Sequence, residues 1–254
     1  MAPESARQSQ IEFSIEEMIH HPSSDVMKLA AQHPQLTEEL ALSFLTRRDL
    51  APVAIEALSK RGDLLKHRKV SLAIAGHAKT PRHVALPMVR RLFTFELMQL
   101  ALSPAVGADI KLVAEEVIVG RLESISSGER LTLARQASSR VVAALLFDAE
   151  SRIVEASLMN PRLTESSIVR ALMRSQTGVL LIDLVCKHSK WSLRREIQTA
   201  ILRNGNTPFG RILQIAPLLP ARTLRDVLKS SDLAPEVQSY LERMLETRTD
   251  SKNS

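Results

Sequence analysis

The 254-residue chain has little of three residue types that most folded proteins use freely. It contains one cysteine, Cys186, which excludes an intramolecular disulfide framework and a cysteine-cluster metal site and favours a reducing compartment. Aromatic residues make up 3% of the chain, and there are eight glycines. Because strand-rich folds favour aromatic residues and need many glycine-containing turns, this composition favours an all-helical fold.

Long apolar runs are also missing. The N-terminal sequence MAPESARQSQ lacks the apolar run of a signal peptide, and no apolar segment approaches the roughly 20 residues of a membrane-spanning helix. We therefore expect a cytoplasmic protein with no membrane partner. The net charge of +6 would suit nucleic acid, but such a basic balance is common among soluble proteins and does not decide the function.

One motif occurs twice, as QHPQLTE at 32–38 and as MNPRLTE at 159–165. Two further segments can be aligned with these copies. The four aligned positions, which we call the anchors, are His33, His77, Asn160 and Asn204. Aliphatic residues or alanine lie seven and four positions before each anchor, so each anchor is predicted to end a short amphipathic helix. An anchor at that position, where Asn in particular tolerates the left-handed conformation, marks a corner between two antiparallel helices.

A threonine follows each anchor within four residues; the four are Thr37, Thr80, Thr164 and Thr207. Threonine is a preferred N-cap, so each is predicted to begin the next helix. Pro81 and Pro208 come directly after two of them and are expected at the first helical position, where the missing N–H of proline is harmless.

The anchors lie 44 residues apart within each outer pair and 83 apart between His77 and Asn160, which indicates a period of about 42 to 44 residues. We predict five helix pairs in one domain over residues 11–246, starting near Val26, Val70, Lys111, Ile153 and Ile197. The middle pair can break at Ser126-Ser127-Gly128, at Ser138-Ser139, or at both. Residues 11–21 are predicted as a short cap helix, and residues 1–10 and 247–254 as disordered tails.

A helix pair of about 42 residues with a proline near its corner resembles the HEAT-like α-solenoids. The segment RIVEASLMNPRLTESSIVRAL, at 152–172, is most similar to the bacterial HEAT-like and leucine-rich-repeat-variant proteins. The resemblance covers residues 25–240 and implies an α-solenoid of about five antiparallel helix pairs. Such families mostly bind proteins and sometimes nucleic acid.

Two segments are strongly basic, KRGDLLKHRK at 60–69 and KHSKWSLRR at 187–195. In a solenoid both would lie at junctions between repeats and along the same edge. The resulting candidate edge for an anion or a partner consists of Lys60, Arg61, Lys66, Arg68, Lys69, Lys187, Lys190, Arg194 and Arg195. The alternative is that both segments are solvated turns.

Motifs for catalysis are missing, since the sequence has no Gly-rich phosphate loop, no HExxH and no Gly-x-Ser-x-Gly. We predict no catalytic residue, no cofactor and no metal. Cys186 and His188 are two residues apart at a helix end and point in different directions, which favours a structural cysteine.

Three functions are consistent with these features. The preferred one is a non-enzymatic scaffold that binds a protein or peptide, with basic edges that steer an acidic partner. The second is nucleic-acid binding through phosphate contacts. The third is an enzyme, because the chain is similar in length, repeat type and basicity to HEAT-like bacterial DNA glycosylases. Those enzymes are rich in tryptophan with an essential Asp beside it, whereas here Trp191 is the one tryptophan and Asp183 the nearest preceding acid.

Overall fold

A computed structural model describes residues 13–229 and 233–253. Over these residues the chain forms 18 α-helices and no strand, which confirms the predicted all-α class. The chain divides into two compact units, the first ending at Val117 and the second beginning at Ile118, where the sequence predicts a single domain over residues 11–246. None of the helices in the described part is both long and apolar enough to cross a bilayer.

The first unit contains α1 (Ile15–His20), α2 (Ser24–Gln32), α3 (Glu38–Leu45), α4 (Pro52–Ser59), α5 (Gly62–Leu65), α6 (Arg68–Gly76), α7 (Arg82–Val89) and α8 (Thr94–Leu102). The boundary falls within α9 (Ala108–Arg121). The second unit contains α10 (Ser127–Gln136), α11 (Ser139–Leu145), α12 (Ser151–Leu158), α13 (Glu165–Leu172), α14 (Val179–Lys187), α15 (Arg195–Arg203), α16 (Phe209–Ile215), a 3₁₀ turn at Ala216–Leu218, α17 (Ala221–Leu228) and α18 (Pro235–Asn253).

Several predicted boundaries are confirmed. The five predicted start positions all lie in the first turn of a helix, namely of α2, α6, α9, α12 and α15. The middle region breaks at both candidate places, because α10 begins at Ser127 and α11 at Ser139. The predicted cap helix corresponds to α1, while the predicted tail at 1–10 lies outside the described residues. The second predicted tail, at 247–254, begins within α18, which continues through Asn253.

Each interval between successive anchors contains more helices than the repeat predicts. The 44 residues from Asn160 to Asn204 contain α13, α14 and α15, where the repeat predicts two helices. Helices of eight or nine residues are only about two turns long, so three of them and their corners fit into one interval.

Within each unit, helices two apart in the chain pack side by side. In the second unit α10 contacts α12 and α12 contacts α14, while α11, α13, α15 and α17 form a second series of neighbours. In the first unit α2, α4, α6 and α8 make successive contacts in the same way. Fully buried side chains fill both cores, among them Phe44, Ile55 and Leu58 in the first unit and Leu145 and Ile153 in the second.

Three of the four anchors, His33, His77 and Asn204, end their helices with an extended backbone, which corrects the expected left-handed conformation. The fourth, Asn160, follows Met159, which is the C-cap residue of α12. His33 has φ −66° and Asn204 has φ −82°, and no described residue other than glycine has a positive φ. The side chains do the closing instead. Asn160 accepts a hydrogen bond from the amide of Arg162 (2.8 Å) and donates one to the carbonyl oxygen of Ala134 (2.8 Å). His77 likewise accepts from the amide two residues later and bonds the carbonyl oxygen of Arg47 at 2.8 Å.

Two of the four predicted threonine N-caps are confirmed. The Thr37 hydroxyl accepts a hydrogen bond from the amide of Leu40 (3.4 Å), and the Thr164 hydroxyl accepts one from the amide of Ser167 (3.3 Å). Each bond satisfies one of the amide groups that the first turn of a helix leaves without a partner.

The other two threonines act on the preceding helix. The Thr80 hydroxyl donates to the carbonyl oxygen of Ile74 (2.5 Å), and Thr207 makes the same contact six residues back (2.6 Å). Pro81 and Pro208 are therefore the N-cap residues of α7 and α16, one position earlier than predicted. Because the proline is the N-cap residue, the helix begins one residue later than predicted. The threonine hydroxyl is then not used as an N-cap and bonds to a carbonyl oxygen of the preceding helix.

His188, which the sequence alignment does not include, forms the same turn at the end of α14. Its Nδ1 accepts a hydrogen bond from the amide of Lys190 (3.1 Å), so the ring proton is on Nε2, which lies 3.2 Å from Met159 Sδ. Burial, and then the charge of Lys190, lower the pKa of His188 below its ordinary value of 6.5. Protonation of Nδ1 would remove the turn hydrogen bond.

The first prediction concerns pH. Because the folded pKa of His188 lies below the unfolded one, the neutral ring stabilises the fold above about pH 6.5, and this contribution is lost as the pH falls through the folded pKa. Asn keeps the turn, as at position 160, but does not titrate. Between about pH 8 and pH 5, the unfolding free energy of the wild type should therefore fall more than that of His188→Asn in denaturant titrations. A constant difference across this range would contradict the assignment.

The second prediction concerns a helix cap. Thr164→Ala should lower the unfolding free energy by about 1 kcal/mol, because the amide of Ser167 loses the N-cap hydrogen bond to the Thr164 hydroxyl. Ser166→Ala is the matched control, since Ser166 is exposed and its hydroxyl reaches only that of Thr164. Equal losses for the two variants in urea titration would show that the cap is placed wrongly.

Candidate partner-binding groove

The first unit has a groove of about 580 Å³ between α4, α5, α6 and α7. Its apolar floor is formed by Leu65, Val84, Pro87, Met88 and Leu92. Its polar side chains are Glu56, Ser59, Lys60, Lys66, Arg68, Ser71, His83 and Arg91. A concave apolar surface with a few polar groups around it is the usual form of a ligand-binding site.

One helical face supplies much of this groove. His83, Pro87 and Arg91 are spaced four apart, and Val84 and Met88 repeat the spacing one residue later. Residues at this spacing lie on one side of a helix, so α7 and the turn that follows it present a single mixed face to the groove. Pro87, inside α7, has no amide hydrogen to donate to the carbonyl of His83, which leaves that carbonyl without its intrahelical partner.

Arg68 lies at the edge of the groove, and its charge is balanced by the carboxylate of Glu96. Its guanidinium forms two hydrogen bonds to the carboxylate of Glu96, at 3.0 and 2.5 Å, and its Cζ lies 3.3 Å from the centre of the Phe93 ring. Hydrogen bonding from Arg68 is the main reason that the pKa of Glu96 is lowered. Phe93 is 61% exposed, so the Arg68–Phe93 stack is a flat, accessible surface beside the groove.

Three cations of the groove have no such balance. Lys60, Lys66 and Arg91 are exposed and form no ion pair with any residue between 13 and 229 or after 232 that the structure describes. The one carboxylate of the groove, that of Glu56, lies 3.4 Å from His83 Nε2. The groove therefore carries a net positive charge above an apolar floor.

Arg61, next to Lys60 in the sequence, is part of the fold instead. It donates to the carbonyl oxygen of His33 at 2.9 Å and holds the Asp63 carboxylate with two bonds of 2.9 and 2.6 Å. This contact holds the pKa of Asp63 well below its usual range. Arg47 repeats the arrangement, with bonds to the carbonyl oxygen of His21 and to Asp49. The shared pattern is Arg-x-Asp-Leu, at 47–50 and at 61–64.

The nine residues of the predicted edge thus have different roles. Lys60, Lys66 and Arg68 line the groove, Arg61 closes the end of α2, and Lys69 is exposed outside the groove. The other four, Lys187, Lys190, Arg194 and Arg195, belong to the second unit, and all four are exposed. Sequence reasoning missed His83, Arg91 and the apolar floor, although the spacing of four along residues 83–91 was a readable signal.

The residues considered for catalysis are Trp191, Asp183 and Cys186, and each is at least partly buried or paired. Trp191 is 3% exposed, and its indole N–H donates to the carbonyl oxygen of Leu158 (2.8 Å). Asp183 is paired with Arg211 at 2.8 Å. Burial raises the pKa of the Cys186 thiol. Among the described residues no three His, Cys, Asp or Glu side chains come together as metal ligands.

Comparison with other proteins adds no relative: no protein-family model, curated protein sequence or solved structure matches this chain.

The third prediction compares the contributions of Arg61 and Lys60 to the unfolding free energy. Arg61→Lys should lower the unfolding free energy by about 1 to 2 kcal/mol, because one ammonium group cannot replace a planar fork that binds a carbonyl and a carboxylate together. Lys60→Gln, at an exposed position, should change it by no more than about 0.5 kcal/mol. If urea titration shows the two variants to be equally stable, the Arg61 contacts do not contribute to folding.

Proposed function

We propose that the protein is a non-enzymatic interaction module whose first unit binds a segment of another protein in the groove. The observation that carries this proposal is the combination of an apolar floor with three cations, Lys60, Lys66 and Arg91, that have no ion-pair partner among the described residues. An apolar side chain of the partner fills the floor, and its carboxylates meet the cations. Complementary charge of this kind speeds association and selects against basic segments.

The surface beside the groove supports a protein as the ligand. Aromatic residues, arginine and methionine are enriched in protein interfaces, and here Phe93, Arg68 and Met88 lie on or beside the same groove. Phe93 is 61% exposed, and burying its ring against a partner would remove a large apolar area from water. The Arg68 guanidinium is already ordered by Glu96, which reduces the entropy lost on binding.

We also propose that the helices form HEAT-like repeats of the α-solenoid class. Support comes from the neighbour pattern within each unit, in which helices two apart in the chain lie side by side. Stacked helix pairs with local contacts are characteristic of repeat proteins, which present extended surfaces to their partners. A cytoplasmic location fits the single, partly buried cysteine.

The fourth prediction tests the groove. Random peptides selected for binding to the wild-type protein should contain an apolar residue flanked by Asp or Glu. Lys60→Glu with Lys66→Glu should weaken the affinity of a selected peptide by at least about tenfold in fluorescence anisotropy, since two attractive charges become repulsive. Lys69→Glu with Lys79→Glu is the matched control: both residues are exposed, belong to the first unit and lie outside the groove lining.

Two results would contradict the proposal. One is that selection yields no peptide with measurable affinity. The other is that both double variants lose affinity equally, which would mean that net charge rather than the groove holds the peptide.

A further inference from the structure

In the second unit, the C-terminal ends of α10, α12 and α14 lie side by side. The end of α12 is joined to α10 by bonds from Asn160 to the carbonyl oxygen of Ala134 (2.8 Å) and from Arg162 to that of Gln136 (3.1 Å). The segment after α14 is joined to the end of α12 by the bond from Trp191 to the carbonyl oxygen of Leu158 (2.8 Å). We call these three ends the end row.

Each member of the end row carries exposed cations. Arg135 lies in the last turn of α10, Arg162 follows α12, Lys187 is in the last turn of α14 and Lys190 follows it. None of the four forms an ion pair with a carboxylate in the described part of the chain. Packed helices are about 8 to 10 Å apart, so these cations are spread over about 20 Å. Two acids lie on α12 and α14 before these ends: Glu155, in the groove between α10 and α12, and Asp183, one turn before Lys187 and paired with Arg211.

The turn after α14 adds two more cations on a rigid support. The amide of Ser192 donates to the carbonyl oxygen of His188 (3.0 Å), and the Gln198 side chain donates to that of Ser192 (2.7 Å). Arg194 and Arg195, directly after this turn, are exposed and also lack an ion pair among the described residues. Hydrogen bonds therefore tie the backbone that precedes these two cations to the end of α14 and to α15.

We propose that the end row binds the phosphate backbone of a nucleic acid without reading its bases. Positive groups that recur once per helix suit a polymer with regularly repeated negative charge, and lysine and arginine are the side chains that contact phosphates. The ring of Trp191 is buried and covered by Lys190, whose Nζ lies 3.9 Å from its centre, so it cannot stack on a base. An acidic protein is the less favoured ligand, because these cations form a row rather than surround an apolar floor.

The fifth prediction uses fluorescein-labelled duplex DNA and single-stranded RNA of unrelated sequences. With about four phosphate contacts, the logarithm of the association constant on duplex DNA should fall against the logarithm of salt concentration with a slope of roughly −3 to −4. The triple variant Arg135→Glu, Lys187→Glu and Lys190→Glu should bind all sequences at least about tenfold more weakly and with a flatter slope.

The matched control is Arg222→Glu, Arg225→Glu and Arg243→Glu, which makes the same change in net charge at exposed positions of the same unit. It should bind as the wild type does, and so should Lys60→Glu with Lys66→Glu, which separates this site from the groove. Circular dichroism checks that every variant is folded.

Three results would overturn the inference. The first is the absence of salt-sensitive binding by the wild type at low ionic strength. The second is an equal loss in the two triple variants, which would indicate a general effect of charge. The third is displacement of the nucleic acid by polyglutamate at equal charge concentration, which would assign the end row to an acidic protein.

Discussion

A helix of two turns leaves about half of its backbone polar groups without an intrahelical partner, and most of the described helices are of about this length. Any α-helix has four amides at its start and four carbonyls at its end without intrahelical partners. In α13, with eight residues, these groups are half of the backbone amides and half of the backbone carbonyls. The carbonyls at helix ends must therefore be satisfied by side chains, and Asn160, His77 and Arg61 do so. The identity of the corner residues follows from this requirement more than from hydrophobic packing.

The same requirement decides which charges remain for a partner. Arg61 and Lys60 are adjacent in the sequence, yet the guanidinium reaches a carbonyl of α2 and a carboxylate at once, whereas the ammonium stays in solvent. Arg68 is similarly used by Glu96 and Phe93. Counting basic residues overestimates a binding surface in a fold of this kind, because arginines near helix ends serve as caps. Anionic ligands are therefore expected mainly at the lysines and at arginines without a cap role, such as Arg91 and Arg135.

The sequence was sufficient for those features that depend on neighbouring residues. Composition indicated helices, the aliphatic spacing before His33 and Asn204 placed helix ends, and the serines at 126–127 and 138–139 marked real breaks. Features that depend on distant residues were not readable. Thr80 resembles Thr37 but is followed by Pro81, and only the three-dimensional contact with Ile74 shows its different role. The groove brings residues of α4, α5, α6 and α7 together, an arrangement that no local pattern specifies. The helix number was missed because successive anchors, which follow α2, α6, α12 and α15, are three or more helices apart, while spatial neighbours are two helices apart.

The long-range bonds at helix ends have a consequence for how the chain folds. They connect residues 26 to 33 apart in sequence, from Arg162–Gln136 to Trp191–Leu158. Loops of this length cost little entropy to close, and folds with local contacts fold fast. During synthesis, each helix end can find its partner as soon as about thirty further residues have left the ribosome, so packing proceeds from the N-terminus onward and only the last two or three helices remain exposed at any time.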